Sequence, residues 1–79
     1  MLMVRIDTMK LIVAMANKCM TVKDLADAIG KSTTCIYKIR RGYLAKVETI
    51  GKICKVLEMD AADLIVEVVH YQRTRTSAS

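Results

Sequence analysis

Residues 20–42 read MTVKDLADAIGKSTTCIYKIRRG and contain the strongest structural signal in the chain. Apolar residues recur at helical spacing before Gly30 and again after it, which predicts two short helices. Gly30 suits the left-handed residue that ends a helix, and Ser32 suits the residue that caps the next one. Because the break between the two helices is so short, they must cross steeply and form a helix-turn-helix unit.

The crossing of these two helices needs a small residue at the contact and larger apolar residues in the angle between them. Ala26 is the small residue, and Ile29, Ile36 and Ile39 fill the angle. The opposite face of the second helix is polar and is expected to point away from the core. Its residues are Thr33, Thr34, Tyr37, Lys38 and Arg41.

Three further helices extend the unit into a bundle. The first begins at Asp7 as its N-cap and runs to Lys18, the fourth covers Val47–Leu57, and the fifth begins after Asp60. In the second helix, Thr21 and Asp24 have the spacing of a capping box. The chain has no proline and three glycines, fewer turn residues than a sandwich or barrel requires. The predicted fold is all-α, a compact bundle of about five short helices.

The two ends of the chain allow more than one interpretation. Leu64–Val69 continues the apolar face of the fifth helix but is rich in β-branched residues, and Met1–Ile6 reads almost equally well as a short strand. Short antiparallel pairing of these two segments therefore stays open. Residues 1–71 are expected to form one domain, and residues 72–79 a polar, basic tail without fixed structure.

The composition of the chain limits the classes of protein to which it can belong. The 79 residues suffice for one small domain, and the 4% aromatic content means that the core consists of aliphatic side chains. The formal net charge is +5, and the segment from Lys31 to Lys46 contains five basic and no acidic residues. A basic stripe of this kind is typical of proteins that bind a polyanion.

Several other functions are excluded by what the sequence lacks. Cys19, Cys35 and Cys54 have no metal-ligand spacing, and His70 is the only histidine, so no metal, cofactor or small-molecule ligand is expected. No catalytic set and no phosphate-binding glycine loop is present, which excludes an enzyme. Cys35 and Cys54 are expected to be small buried residues, and reduced thiols suit the cytoplasm. No apolar run is long enough to span a membrane.

An ordered series of residues, rather than a single motif, connects the chain to a known family. Within the helix-turn-helix segment the series is Leu25-Ala26, Ile29-Gly30, Ser32, Thr34, Ile36, Ile39 and Arg41-Gly42. Val47–Leu57 and Asp60–Ile65 continue it downstream. This series resembles the phage-repressor and Cro-like (XRE-type) helix-turn-helix family over more than half the chain. The resemblance implies binding to double-stranded DNA, with the recognition helix, residues 33–41, in the major groove.

The resemblance also implies which residues contact DNA. Residues at the base-reading positions of the family are Thr33, Thr34, Tyr37 and Lys38. Lysine prefers the acceptors of guanine, and threonine offers a hydroxyl and a methyl group. Residues expected to contact phosphates are Lys31, Ser32, Arg40, Arg41, Tyr43 and Lys46.

The chain departs from the pattern of the family in two respects. Where members pair a basic residue of the first helix with an acidic residue of the third, this chain has Met15 and Arg40. The internal ion pair is therefore missing, and Arg40 is free to reach a phosphate. Lys46 stands where the fourth helix usually has a serine-type cap.

One chain offers one recognition helix, which serves a single half-site. Because half-sites lie about 34 Å apart, a homodimer is expected. Its interface is predicted at Leu64–Val69 together with Met1–Ile6, because these segments are rich in apolar residues.

The expected function is that of a sequence-specific, repressor-like regulator of transcription, encoded by a prophage, a mobile element or a bacterial operon. The alternative is a protein-interaction module, similar to an antitoxin or antirepressor, whose helix-turn-helix needs a partner to bind DNA. RNA is a poorer candidate ligand, because the sequence predicts no aromatic surface on which bases would stack.

Overall fold

The fold is given by a computed structural model that describes residues 2–70, without the side chain of His70. The predicted tail, residues 72–79, lies outside the described residues. The elements follow the order β1 Leu2–Ile6, α1 Thr8–Asn17, α2 Val22–Ile29, α3 Thr33–Arg40, β2 Ala45–Lys46, α4 Val47–Leu57, α5 Ala61–Leu64 and β3 Ile65–His70. The five helices confirm the predicted fold class.

The helix starts lie where the sequence predicts them. The carboxylate of Asp7 accepts hydrogen bonds from the backbone N–H groups of Met9 and Lys10 at 3.1 and 3.2 Å. The Asp60 carboxylate accepts from Ala62 N–H at 3.0 Å. These short polar side chains satisfy first-turn donors that have no partner inside the helix.

The start of α2 is closed by the predicted capping box. The hydroxyl of Thr21 accepts from Asp24 N–H at 3.1 Å, and the Asp24 carboxylate accepts from Thr21 N–H at 3.0 Å. The backbone N–H of Thr21, and then its side chain, hold the pKa of Asp24 below the ordinary value of 3.8.

The capping box predicts a pH-dependent contribution to stability. Because the pKa of Asp24 is lower in the folded chain than in the unfolded chain, its stabilising effect is present above the unfolded pKa and is lost as the pH falls through the folded one. We expect Asp24→Asn to be less stable than the wild type at pH 7, and the difference to shrink below about pH 4. Urea unfolding across this pH range measures the difference. Asp27→Asn, on the same helix, is the control, and an equal pH effect there would contradict the assignment.

The core is aliphatic, as predicted, and includes side chains of both α2 and α3. Ala26 of α2 is almost completely buried, as are Ile36 and Ile39 of α3. The same core includes side chains from β1, α1, α4 and α5, among them Leu11, Ile50, Ile53 and Leu64. The helix-turn-helix is therefore held rigidly by the rest of the domain.

The two ends of the chain pair as strands, the alternative that the sequence left open. The sheet has the order β2-β1-β3 and is antiparallel, with Met3 opposite Val69 and Val4 opposite both Val68 and Ala45. The fifth helix consequently stops at Leu64, and the helical face predicted to continue to Val69 is wrong. Its β-branched residues instead pair with β1, a contact that local periodicity does not reveal.

Candidate nucleic-acid interface

The turn between α2 and α3 fixes the direction of the recognition helix. Gly30 has the left-handed φ of +73°, and the N–H of Lys31 donates to the carbonyl of Ala26 at 2.9 Å. A side chain at residue 30 would be strained in this conformation. Ser32 then caps α3 by accepting from Cys35 N–H at 3.3 Å. Both features match the sequence prediction, and they fix where α2 ends and α3 begins.

The outward face of α3 brings the predicted base-reading residues together. Thr33, Thr34, Tyr37 and Lys38 are all exposed, whereas Ile36 and Ile39 anchor the opposite face. Because residues four apart are neighbours on a helix, Thr33 lies beside Tyr37, and Thr34 lies beside Lys38. The result is a continuous surface of short hydroxyls, one phenol and one ammonium group.

A groove of about 360 Å³ runs between this helix and the segment from β2 to the first turn of α4. Three lysines line it, Lys31, Lys38 and Lys46, together with the hydroxyl residues Ser32 and Thr34. None of the residues that line it is acidic. The groove therefore joins two predicted base contacts, Thr34 and Lys38, to three predicted phosphate contacts and has the charge that suits an anionic ligand.

The basic residues of this region are not neutralised by the rest of the described chain. Within residues 2–70 the ion pairs are Arg5–Glu67, Lys18–Glu58 and Lys23–Asp27. None of these pairs involves a basic residue between Lys31 and Lys46. Their charge is therefore available to DNA phosphates, and binding need not break an existing ion pair.

The start of α4 faces this groove with its backbone donors uncapped. Lys46 is the N-cap residue and makes no side-chain capping hydrogen bond, in contrast to Thr21 at the start of α2. The N–H groups of a first helical turn attract anions. A phosphate in the groove would therefore contact both the Lys46 side chain and the backbone N–H groups at the start of α4. At the start of α2, by contrast, the Asp24 carboxylate already accepts a hydrogen bond from the backbone N–H of Thr21.

Sequence reasoning missed Thr49 as a member of the groove. Its side chain is 6% exposed and lines the groove, and no side-chain hydrogen bond to it occurs within the described residues. A buried hydroxyl without a partner is costly, so a ligand oxygen in the groove would stabilise this site. In the sequence, the only sign of this role is that Thr49 is a polar residue in the first turn of α4, on a helix face that is otherwise apolar.

Arg40 is separated from the other predicted phosphate contacts. It is half-buried and lines a different cavity, beside Met15 of α1 and Thr21 at the start of α2. Met15 and Arg40 thus lie near each other, as expected of the positions where the family has its ion pair. Arg41 and Tyr43 are exposed but do not line the groove of Lys31 and Lys46.

The described residues present no other reactive centre. No group of three or more His, Cys, Asp or Glu side chains in residues 2–70 is placed to hold a metal ion. All three cysteines are free thiols, and Cys54 is buried, which raises the pKa of its thiol. Cys35 is half-buried rather than fully buried. Within the same residues, no helix has both the length and the apolar character needed to cross a bilayer.

Comparison with known proteins identifies the family of the chain. The family described as Cro/C1-type HTH DNA-binding domain matches residues 10–68, which include α2, the turn, α3 and α4. Neither the curated proteins nor the solved structures contain a significant match.

Proposed function

Because the chain belongs to the family of Cro/C1-type HTH DNA-binding domains, we propose that it is a sequence-specific, repressor-like regulator of transcription. In this proposal α3 lies in the major groove of double-stranded DNA, and Thr33, Thr34, Tyr37 and Lys38 contact the bases. The remaining predicted contacts, Lys31, Ser32, Arg40, Arg41, Tyr43 and Lys46, bind phosphates and set the register.

One observation carries the proposal: the exposed face of α3 borders a groove with three lysines and no acidic residue. A DNA backbone beside the major groove would supply the anion, and α3 would reach the base edges at the same time. The absence of an acidic lining also argues against a metal ion or a basic peptide as the ligand of this groove. We therefore propose a binding protein rather than an enzyme.

Substitutions at Lys38 and Arg41 separate base reading from phosphate contact. We expect Lys38→Ala to relax discrimination at one base-pair position by about 1–3 kcal/mol, because it removes a base-edge contact. Arg41→Ala should weaken binding to all sequences alike, because phosphates carry no sequence information. A DNA site is first selected from a random duplex pool. Fluorescence anisotropy with single-base variants of that site then measures both effects.

Thermal unfolding of both variants is the control, since Lys38 and Arg41 are exposed and their loss should leave stability nearly unchanged. An equal loss of discrimination in the two variants would contradict the assigned roles.

Two further parts of the proposal concern the oligomeric state of the protein and the cell in which it occurs. A single recognition helix per chain favours a homodimer on a twofold operator. The free thiols are compatible with a reducing, cytoplasmic setting in a bacterium or a phage-infected cell. The alternative, an antitoxin- or antirepressor-like module that needs a partner to bind DNA, is favoured by the exposed valines of β3, Val66 and Val68.

A further inference from the structure

The groove between α3 and the start of α4 has an apolar lining as well as a basic one. Five apolar residues contribute to it, Met3, Cys35, Ile39, Leu44 and Ala45. Met3, Cys35 and Leu44 are only half-buried, so part of this apolar lining is open to solvent. A DNA phosphate is bound through charge and hydrogen bonds and has no use for these side chains. The apolar lining therefore points to a ligand that has an apolar part of its own.

The polar lining includes a site for an oxyanion. The hydroxyl of Thr49 is buried, with 6% of the residue exposed, and has no hydrogen-bond partner within residues 2–70. Thr49 lies in the first turn of α4, where the N-cap residue Lys46 makes no capping hydrogen bond. Glu48, in the same turn, is exposed and does not line the groove. An oxyanion bound here would satisfy both the buried hydroxyl and the backbone N–H groups of the helix start.

The size of the groove suits a small molecule. Its volume is about 360 Å³. Small-molecule sites typically occupy about 300–1,000 Å³ and combine an apolar lining with a few polar groups that fix the orientation of the ligand. Here the polar groups are those of Lys31, Lys38, Lys46 and three hydroxyl residues. Both the dimensions and the chemistry of the lining match a ligand-binding cleft.

We propose that this groove binds a small phosphate monoester with an apolar body. The phosphate accepts hydrogen bonds from the Thr49 hydroxyl, the backbone N–H groups at the start of α4 and the Lys46 ammonium group. The apolar body lies against Cys35 and Leu44. A phosphate monoester carries a charge of about −1.5 to −2 at neutral pH, which suits a groove with three lysines and no acidic residue better than a monovalent carboxylate does.

The ligand competes with DNA, and this part of the inference rests on the proposed function. Thr34 and Lys38, two of the predicted base contacts, line the same groove, so its occupation blocks the face of α3 that would enter the major groove. Binding of the ligand would release the protein from its DNA site. The sequence predicts no small-molecule ligand, because residues of β1, α3 and α4 meet in this groove only in the folded chain.

The thiols of the wild-type chain report directly on occupation of the groove. Cys35 lines the groove, whereas Cys19 is exposed and lies outside it. The probe is n-hexyl phosphate, whose dissociation constant is measured by isothermal titration calorimetry without DNA. At about ten times that constant, it should slow the alkylation of Cys35 by N-ethylmaleimide about tenfold, because only the free chain reacts. Alkylation of Cys19 should be unchanged, and mass spectrometry of peptides separates the two thiols.

Inorganic phosphate and one substitution test the two parts of the ligand separately. Inorganic phosphate should bind at least about tenfold more weakly than hexyl phosphate, because it lacks the apolar body. Thr49→Val should weaken binding of hexyl phosphate by about tenfold or more, because it removes a hydrogen bond to a charged group. Thr8→Val is the matched control, since Thr8 lies in the first turn of α1 and does not line the groove.

Three results would each overturn the inference. They are equal alkylation of Cys35 with and without hexyl phosphate, equal affinities for hexyl phosphate and inorganic phosphate, and equal losses of affinity in Thr49→Val and Thr8→Val. The first two measurements use the wild-type chain, so they decide the matter even if Thr49→Val fails to fold.

Fluorescence anisotropy with a labelled duplex separates this inference from the proposed function. Hexyl phosphate should displace the duplex more effectively than inorganic phosphate at the same ionic strength. A chain that protects Cys35 with hexyl phosphate but binds no DNA would refute the proposed function and support the ligand site. A chain that binds DNA while hexyl phosphate leaves Cys35 unprotected would do the reverse, and a duplex that stays bound to an occupied groove would refute the competition.

Discussion

Raising the salt concentration from about 50 to 200 mM is expected to weaken DNA binding by roughly four orders of magnitude. If each chain neutralises about four phosphates, a dimer should show a slope of log K against log salt of roughly −7. The structural basis is that the basic residues from Lys31 to Lys46 form no ion pair within the described chain. Fluorescence anisotropy with a labelled duplex across a salt series gives the slope.

Two lysines associated with α4 provide a matched comparison for this experiment. Lys46 caps the helix beside the groove, and Lys55 lies in its last turn, at the other end. Lys46→Gln should make the slope of the dimer shallower by about 2, one for each copy, whereas Lys55→Gln should leave it unchanged. A flat response of the wild type, or equal effects of the two substitutions, would contradict a phosphate site in the groove.

The second large effect is expected from Ile36→Ala at the crossing of α2 and α3. Ile36 is completely buried, so its truncation should lower the free energy of unfolding by about 2–5 kcal/mol. A domain of this size has a total stability of about 5–10 kcal/mol, so the loss is a large part of it. Urea unfolding followed by circular dichroism measures the change.

Thr34→Ala, two residues earlier on the same helix, is the control. Thr34 is exposed and lines the groove, so its truncation should change stability by no more than about 0.5 kcal/mol while altering DNA binding. If Ile36→Ala were as stable as Thr34→Ala, the recognition helix would not be anchored as the structure shows.

The features of the fold that local chemistry dictates could be predicted from sequence. Asp7, Thr21, Ser32 and Asp60 all cap helices, because a short side chain and the N–H groups of the following turn are enough to define the start. Gly30 is equally predictable, since the end of α2 needs a left-handed residue. These positions define the helix-turn-helix without reference to the rest of the chain.

The terminal strands were harder to predict because their state depends on distant residues. Ile65–His70 follows α5 directly, and only pairing with β1 at the other end of the chain selects a strand over a longer helix. β2 contains two residues, too few for a periodic signal. The left-handed Glu58 at the end of α4 was not foreseen, since that conformation normally favours glycine.

The residues of the candidate site also divide into those that local helix spacing predicts and those that depend on distant parts of the chain. The spacing on α3 placed Thr33, Thr34, Tyr37 and Lys38 on one exposed face, as helix geometry requires. Arg40 lies in a separate cavity because it points toward α1, and Thr49 enters the groove only because α4 packs beside α3. Packing between helices, which sequence spacing does not encode, decides these two positions.

The central claim is that α3 reads the sequence of double-stranded DNA, and selection from a random duplex pool at about 150 mM salt tests it most directly. We expect enrichment of an inverted repeat whose half-sites lie about one helical turn apart. Salt-sensitive binding to all duplexes, with no enriched sequence, would contradict the claim.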